Sequence, residues 1–211
     1  MEEDAVDHLH RPARPVAGRA QGPSRPRPVS PALLRMMEGW HRTPAVVLDH
    51  CLTVPAHNVL GGALFAGHAH SGDLLRLVFL DPDAREFYSD GEPVAVNTVA
   101  ALRAAAGTGH EDPRLFATVG ELSLRSEEFR RLWARHDIRR KSRESKRFRH
   151  PLVGELALDY ESLTVNSAPG QQLVVYQAVP GSTSEQALSR LGSLTANAAH
   201  SDEAADKGAH A

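Results

Sequence analysis

The sequence predicts an α+β domain built on one antiparallel sheet, with helices packed on one face of it. Three observations carry this prediction. Apolar residues alternate in two stretches, over 46–54 and again over 152–179. Between those stretches, apolar positions recur at helical spacing. The second stretch doubles back around NSAPG, as antiparallel neighbours do. Strands from both ends of the domain then share a sheet, and the intervening helices cover it.

The elements follow in order. Residues 11–28 read RPARPVAGRAQGPSRPRP, and five prolines with five arginines exclude helix or sheet there. Folding is expected to begin at Ser30, with Pro31 in a first helical turn and an apolar stripe of Leu33, Leu34, Met37 and Trp40. Thr43-Pro44 stops that helix. AVVLDHCLTV reads as a strand pair or a bent strand through Val46, Leu48, Leu52 and Val54, and Pro55 ends it. VLGGALFAGHAH is small and apolar, with Gly61 and Gly62 weakening any helix. LLRLVFL is a short helix or a buried segment. Asp81-Pro82 supplies a cap and a first-turn proline for DPDAREFY.

A helix is predicted from Pro93 to Ala106, with Val94, Thr98, Ala101, Leu102 and Ala105 on one side. Asp112-Pro113 starts another, carrying Leu115, Val119 and Leu122. Ser126 caps a third, with Glu127 and Glu128 in its first turn and Phe129, Leu132, Trp133 and His136 facing inward. LVGELALDYESLTV and QQLVVYQAV form the hairpin. Ser182 and Glu185 make a capping box for a helix ending near Gly192. The boundaries are thus a Pro/Arg-rich linker over 1–29, a folded domain over 30–192, and a tail over 193–211 that lacks periodicity and is expected to be disordered. The layout is PAS-like, an outline that places small-ligand pockets between sheet and helices.

Composition excludes several classes of function. The net charge of −2 gives no global field toward nucleic acid or an anionic membrane. Charge is uneven, however: residues 125–149 hold 11 basic and 4 acidic side chains. The lone cysteine, Cys51, permits no disulfide within the chain and fits a reducing cytoplasm. No signal peptide and no membrane span is visible. The sequence contains no phosphate-binding glycine loop, no G-x-S-x-G elbow and no H-E-x-x-H helix, so neither an enzyme nor a cofactor is expected.

Five blocks in register resemble the MmyB-like ligand-binding domain of bacterial transcription regulators. They are TPAVVLD with the later Asn58, LLRLVFLDPDAREFY, VAALRAAAG, DPRLFATVGELSLRSEEFRRLWARHDI with KRFRHPLVGELALDYESLTV, and QQLVVYQAVPGSTSEQALSRL. The resemblance spans residues 31–191 and implies a PAS-like domain whose pocket takes an apolar, fatty-acid-like molecule. It also implies a preceding helix-turn-helix of the XRE/Cro type, and AVDHLHRPARP resembles the junction that follows one, so the DNA-reading half is expected to be missing. Any DNA contact would then be indirect. Two positions depart from the family: Asp73 stands where relatives often carry Asn, and Gly91 where they usually carry Trp.

Candidate ligand contacts follow from that pocket. Arg149 and His150 at the start of the hairpin offer a cation and a donor for a carboxylate. Asn58 offers an amide, with a turn cap as its alternative role. Leu64, Phe65, Leu75, Phe79, Phe116 and Trp133 are candidates for the apolar wall, or else plain core. His57, His68 and His70 invite a metal reading, but no cysteine or carboxylate spacing supports it, so no metal site is expected. The basic stretch 139–149, RRKSRESKRFR, reads as a solvated loop or a docking surface. The expected partners are a small apolar ligand and, as an alternative role for the chain, a second copy or a related full-length regulator.

Overall fold

A computed structural model of the chain describes residues 28–107, 112–135 and 145–209. The linker over 11–27, His136 and residues 139–144 of the basic stretch lie outside the described residues. Helix α1 (Pro31–Glu38) is followed by strands β1 (Ala45–Leu48) and β2 (Ala56–His57), then by α2 (Val59–Leu64), α3 (Leu74–Leu80) and α4 (Ala84–Phe87). Helices α5 (Gly91–Gly107), α6 (Pro113–Arg125) and α7 (Glu127–Ala134) lead to β3 (Ser145–His150), β4 (Gly154–Thr164) and β5 (Gln172–Gln177), and α8 (Thr183–Ala209) closes the chain.

One five-stranded sheet runs in the order β2-β1-β5-β4-β3, and every pairing is antiparallel. The first strand therefore lies beside the last, with Val46 opposite Val174 and Val47 opposite Leu173. This is the α+β sheet fed from both ends of the domain that the alternation predicts. Side chains alternate across a strand, and here the alternation sorts them into two cores. Val46, Leu48, Val174 and Tyr176 join Phe148, Leu156 and Leu158 in the main core with α2 to α8. Ala45, Val47 and Leu173 face the other way, onto Met37 of α1. Helices thus do not keep to one face, because β1 is buried on both sides and needs α1 as a cover.

Three local expectations change. Residues 49–53 form a turn and not a strand. The Asp49 carboxylate accepts from the backbone N–H of Cys51 (2.9 Å) and Thr53 (3.0 Å), and Leu52 adopts φ +58°. The strand pairing with β1 is the shorter β2 beyond Pro55. Secondly, SKRFRH is the edge strand β3 and not a loop. Only Phe148 and His150 are buried in it, and Arg147 and Arg149, which alternate with them, face outward, a common protection for a sheet edge. Thirdly, α8 continues past Gly192 to Ala209, where disorder was expected. This stretch is rich in alanine, which favours helix without any amphipathic signal.

VLGGAL forms α2 despite its glycines because of what lies beneath them. A Cβ at Gly61 would stand 2.2 Å from the Ala45 carbonyl oxygen, so only glycine lets α2 rest on the β1 backbone. Helices α6 and α7 start where the sequence places them. The Asp112 side chain accepts from the N–H of Arg114, and that of Ser126 from Phe129. Asp81 is not the cap of α4: its carboxylate accepts from the N–H of Asp83 (3.1 Å) and of His70 (3.3 Å).

Candidate functional site

The inner face of the sheet and helices α3 and α5 enclose a small space of about 90 Å³. Leu48, Leu52, Leu74, Val78 and Val174 give it apolar walls. Its aromatic lining comes from Tyr88 just after α4, Tyr160 on β4 and Tyr176 on β5. Polar groups gather on the side of β4 and β5. The Ser162 hydroxyl donates to the Gln172 side chain (2.9 Å), and the Lys146 ammonium lies 4.9 Å from the centre of the Tyr160 ring. Thr98 on α5 donates its hydroxyl back to the Val94 carbonyl (2.7 Å).

Tyr176 is the group that stands apart. It is fully buried, yet its hydroxyl has no hydrogen-bond partner among the described residues. An unmet buried hydroxyl costs roughly 1–3 kcal/mol. The ring is held firmly, edge-on to Phe65 at 6.0 Å and to Phe148 at 6.1 Å. Burial, with the charge of Tyr160 adding to it, pushes the Tyr176 hydroxyl above the usual tyrosine range. Burial likewise raises Tyr88, with Tyr176 and Asp81 adding to the effect. Both phenols therefore stay protonated and can donate a hydrogen bond at any physiological pH.

A second hollow of about 560 Å³ opens on the far side of Tyr88. Val78 and Tyr88 line both spaces. Ala84 and Ala95 give the hollow a small apolar floor, while Arg85, Glu92, Glu127, Glu128 and Arg131 ring it with charge. Gly91 also borders it, and a Cβ at that position would meet nothing within 4 Å.

The sequence model of one family, the MmyB-like transcription regulator ligand binding domain, matches residues 29–191. The chain belongs to this family. A comparison with curated proteins gave no match. The family places the chain among the ligand-sensing domains of transcription regulators, which bind a small molecule, and no helix of the described residues is long and apolar enough to cross a membrane. Within this MmyB-like domain, the space between sheet and helices is the candidate site.

None of the nine side chains singled out from the sequence borders either space. Asn58 is a structural bracket. Its Oδ1 accepts from the N–H of Gly61 (2.8 Å) and Ala45 (3.0 Å), and its Nδ2 faces the carbonyls of Thr43 (2.8 Å), Trp40 (3.0 Å) and Met37 (3.3 Å). Leu64, Phe65 and Leu75 are buried in the main core. Phe79 and Trp133 both pack on Phe129, at 5.2 and 5.7 Å, and the Arg103 guanidinium covers the outer face of Trp133.

Phe116 corrects the expectation of a wall residue: it is 64% exposed, on the outer side of α6. Arg149 is corrected too, since it points outward from the edge strand. His150 is buried, but its ring is fully used. Its Nε2 donates to the Ala63 carbonyl (3.0 Å) and its Nδ1 accepts from the Leu152 N–H (3.2 Å). Burial holds this ring below the usual histidine range, so it is a neutral tie between α2 and β3 and not a cation.

The residues missed were Tyr88, Tyr160, Tyr176 and Lys146. Tyr160 and Tyr176 were visible as inward positions of alternating strands. Lys146 faces the same way one strand over, which the reading of a loop concealed.

Proposed function

We propose that this domain senses a fatty-acid-like molecule in the cytoplasm, held between the sheet and helices α3 and α5, as a binder and not a catalyst. The supporting observation is the buried, unpartnered Tyr176 hydroxyl in a mostly apolar space. A ligand acid group would sit toward Lys146 and Gln172, accept from Tyr176, and send its chain along Leu52, Leu74 and Val78.

The space of about 90 Å³ is far below the roughly 300 Å³ at which ligand sites begin. A longer chain would swing Tyr88 aside and enter the hollow of about 560 Å³ beyond it. That movement of the segment after α4 is the conformational bias a sensor needs, and the ligand shifts the domain only by its preference for the displaced arrangement. An upstream helix-turn-helix of the XRE/Cro type would convert the bias into altered operator affinity in a bacterial regulator.

Thermal melts with saturated fatty acids of graded length test this reading. Binders should raise Tm, with an optimum length, and Tyr176→Phe should weaken the best of them. A flat response at every length, together with no lipid extracted from the purified protein, rejects the fatty-acid reading.

A second role has its own observation. Phe116 and Leu124 lie two helical turns apart on α6 and are 64% and 86% exposed. Such a stripe would suit pairing with a second copy or with a related full-length regulator. A single monomeric mass at high concentration, alone and mixed with such a regulator, rejects it.

A further inference from the structure

The loop after α2 and the turn before α4 bring together His68, Asp81 and Asp83. One ligating atom from each lies within 4.8 Å of the others. The His68 side chain is 6% exposed, yet neither ring nitrogen has a hydrogen-bond partner. Its Nδ1 stands 3.6 Å from Asp81 Oδ1, too far for a hydrogen bond. Two atoms each about 2.1 Å from one tetrahedral ion lie roughly 3.4 Å apart, so His68 and Asp81 stand close to co-ligand spacing, and the exposed Asp83 would draw in to complete the set.

The acidic partners fit the same role. The Asp81 side chain is 1% exposed, and the backbone N–H groups of Asp83 and His70 orient its two oxygens. Asp83 stands at the solvent side. Among the described residues no lysine or arginine pairs with either carboxylate. The Phe87 ring, 4.3 Å from the imidazole, closes the site from within.

A neighbouring histidine–carboxylate cluster shows the contrast. His50 Nε2 lies 2.7 Å from Asp112, and the same carboxylate takes the guanidinium of Arg114, which also reaches Asp49 at 3.3 Å. Burial and Asp49 push the adjoining Cys51 thiol up to about 12, so it stays protonated. That cluster already holds a guanidinium, whereas the one at His68 has none among the described residues.

We infer that His68, Asp81 and Asp83 form a binding site for a divalent transition-metal ion, of which Zn²⁺ suits the one-nitrogen, two-carboxylate set, with water completing the shell. The ion would clamp the loop after α2 to the turn that begins α4. Tyr88 follows α4, so the clamp would steady the wall shared by the two spaces.

The test uses the full 211-residue chain, stripped with chelator and titrated with Zn²⁺ and then Co²⁺. The expected result is about one tight Zn²⁺ per chain and a rise in Tm. Asp83→Asn, on the exposed side, and His68→Gln should each bind at least about tenfold more weakly. Cys51→Ser should bind as the parent does, and bound Co²⁺ should show no thiolate charge-transfer band. No binding by the parent chain overturns the inference. So does binding undiminished in Asp83→Asn, or a thiolate band that puts the ion at Cys51. If His68→Gln does not fold, Asp83→Asn decides alone.

Discussion

Asn58 and Tyr176 are both polar and both buried, the first capping α2 against β1 and the second on β5. They differ in what surrounds them. Asn58 has five backbone groups within 3.3 Å and joins α1, β1 and α2 at one corner. The Tyr176 hydroxyl has no such group. A saturated buried group is architecture, because every bond it makes is internal. An unsaturated one carries a standing desolvation cost that a ligand atom would relieve. The corner should therefore respond in stability and the cavity in binding.

Breaking the corner should give the largest effect. Asn58→Ala strands several buried backbone groups, and a loss of about 3–5 kcal/mol is expected in urea unfolding. A loss under 1 kcal/mol would show that water replaces the amide. Gly61→Ala should cost about 2–3 kcal/mol, since its Cβ meets the Ala45 carbonyl oxygen and α2 must back away from β1. Rescue of α2 by a shift of the whole helix would appear as a cost near zero.

Protonation probes the next tie. The folded ring of His150 takes up a proton less readily than the unfolded ring, whose ordinary value is 6.5. Its stabilising contribution is complete above that pH and is lost as pH falls below it, because the unfolded chain then binds more protons. His150→Gln should flatten this limb of the stability profile below pH 6.5. An unchanged limb would assign the effect to other groups.

Tyr176→Phe sharpens the comparison from the other side. Removing a hydroxyl that bonds to nothing should leave stability within about 1 kcal/mol of the parent, or raise it, while weakening ligand binding. A loss above 2 kcal/mol would mean that the hydroxyl has a structural partner after all. The smallest effect belongs to Phe116→Ser, expected within about 0.5 kcal/mol because this ring is already in solvent.

Signals confined to a few residues were legible in the sequence. Ser126 and Asp112 cap the helices they were expected to cap, since a cap needs only the N–H two or three residues on. The β4–β5 hairpin and the membership of β1 in the same sheet followed from alternation. β3 stayed hidden because its inward positions are Lys146, Phe148 and His150, of which only Phe148 is apolar, set among charged neighbours. The same limit applied to the sites. Asn58 and His150 stand out in the sequence as polar residues beside apolar runs, but whether such a residue is spent or available depends on carbonyls and N–H groups far along the chain.

By itself the sequence determined the α+β class, the antiparallel hairpin, the helix starts and the family, because periodicity, capping and the order of blocks are properties of neighbouring residues. Only the tertiary structure decided which buried polar groups are satisfied. It spent Asn58 and His150 on the framework, left Tyr176 facing an apolar space, and carried His68 across α3 to Asp81 and Asp83. Hydrogen-bond satisfaction is a count over neighbours in space, and those neighbours are fixed only once the chain has folded.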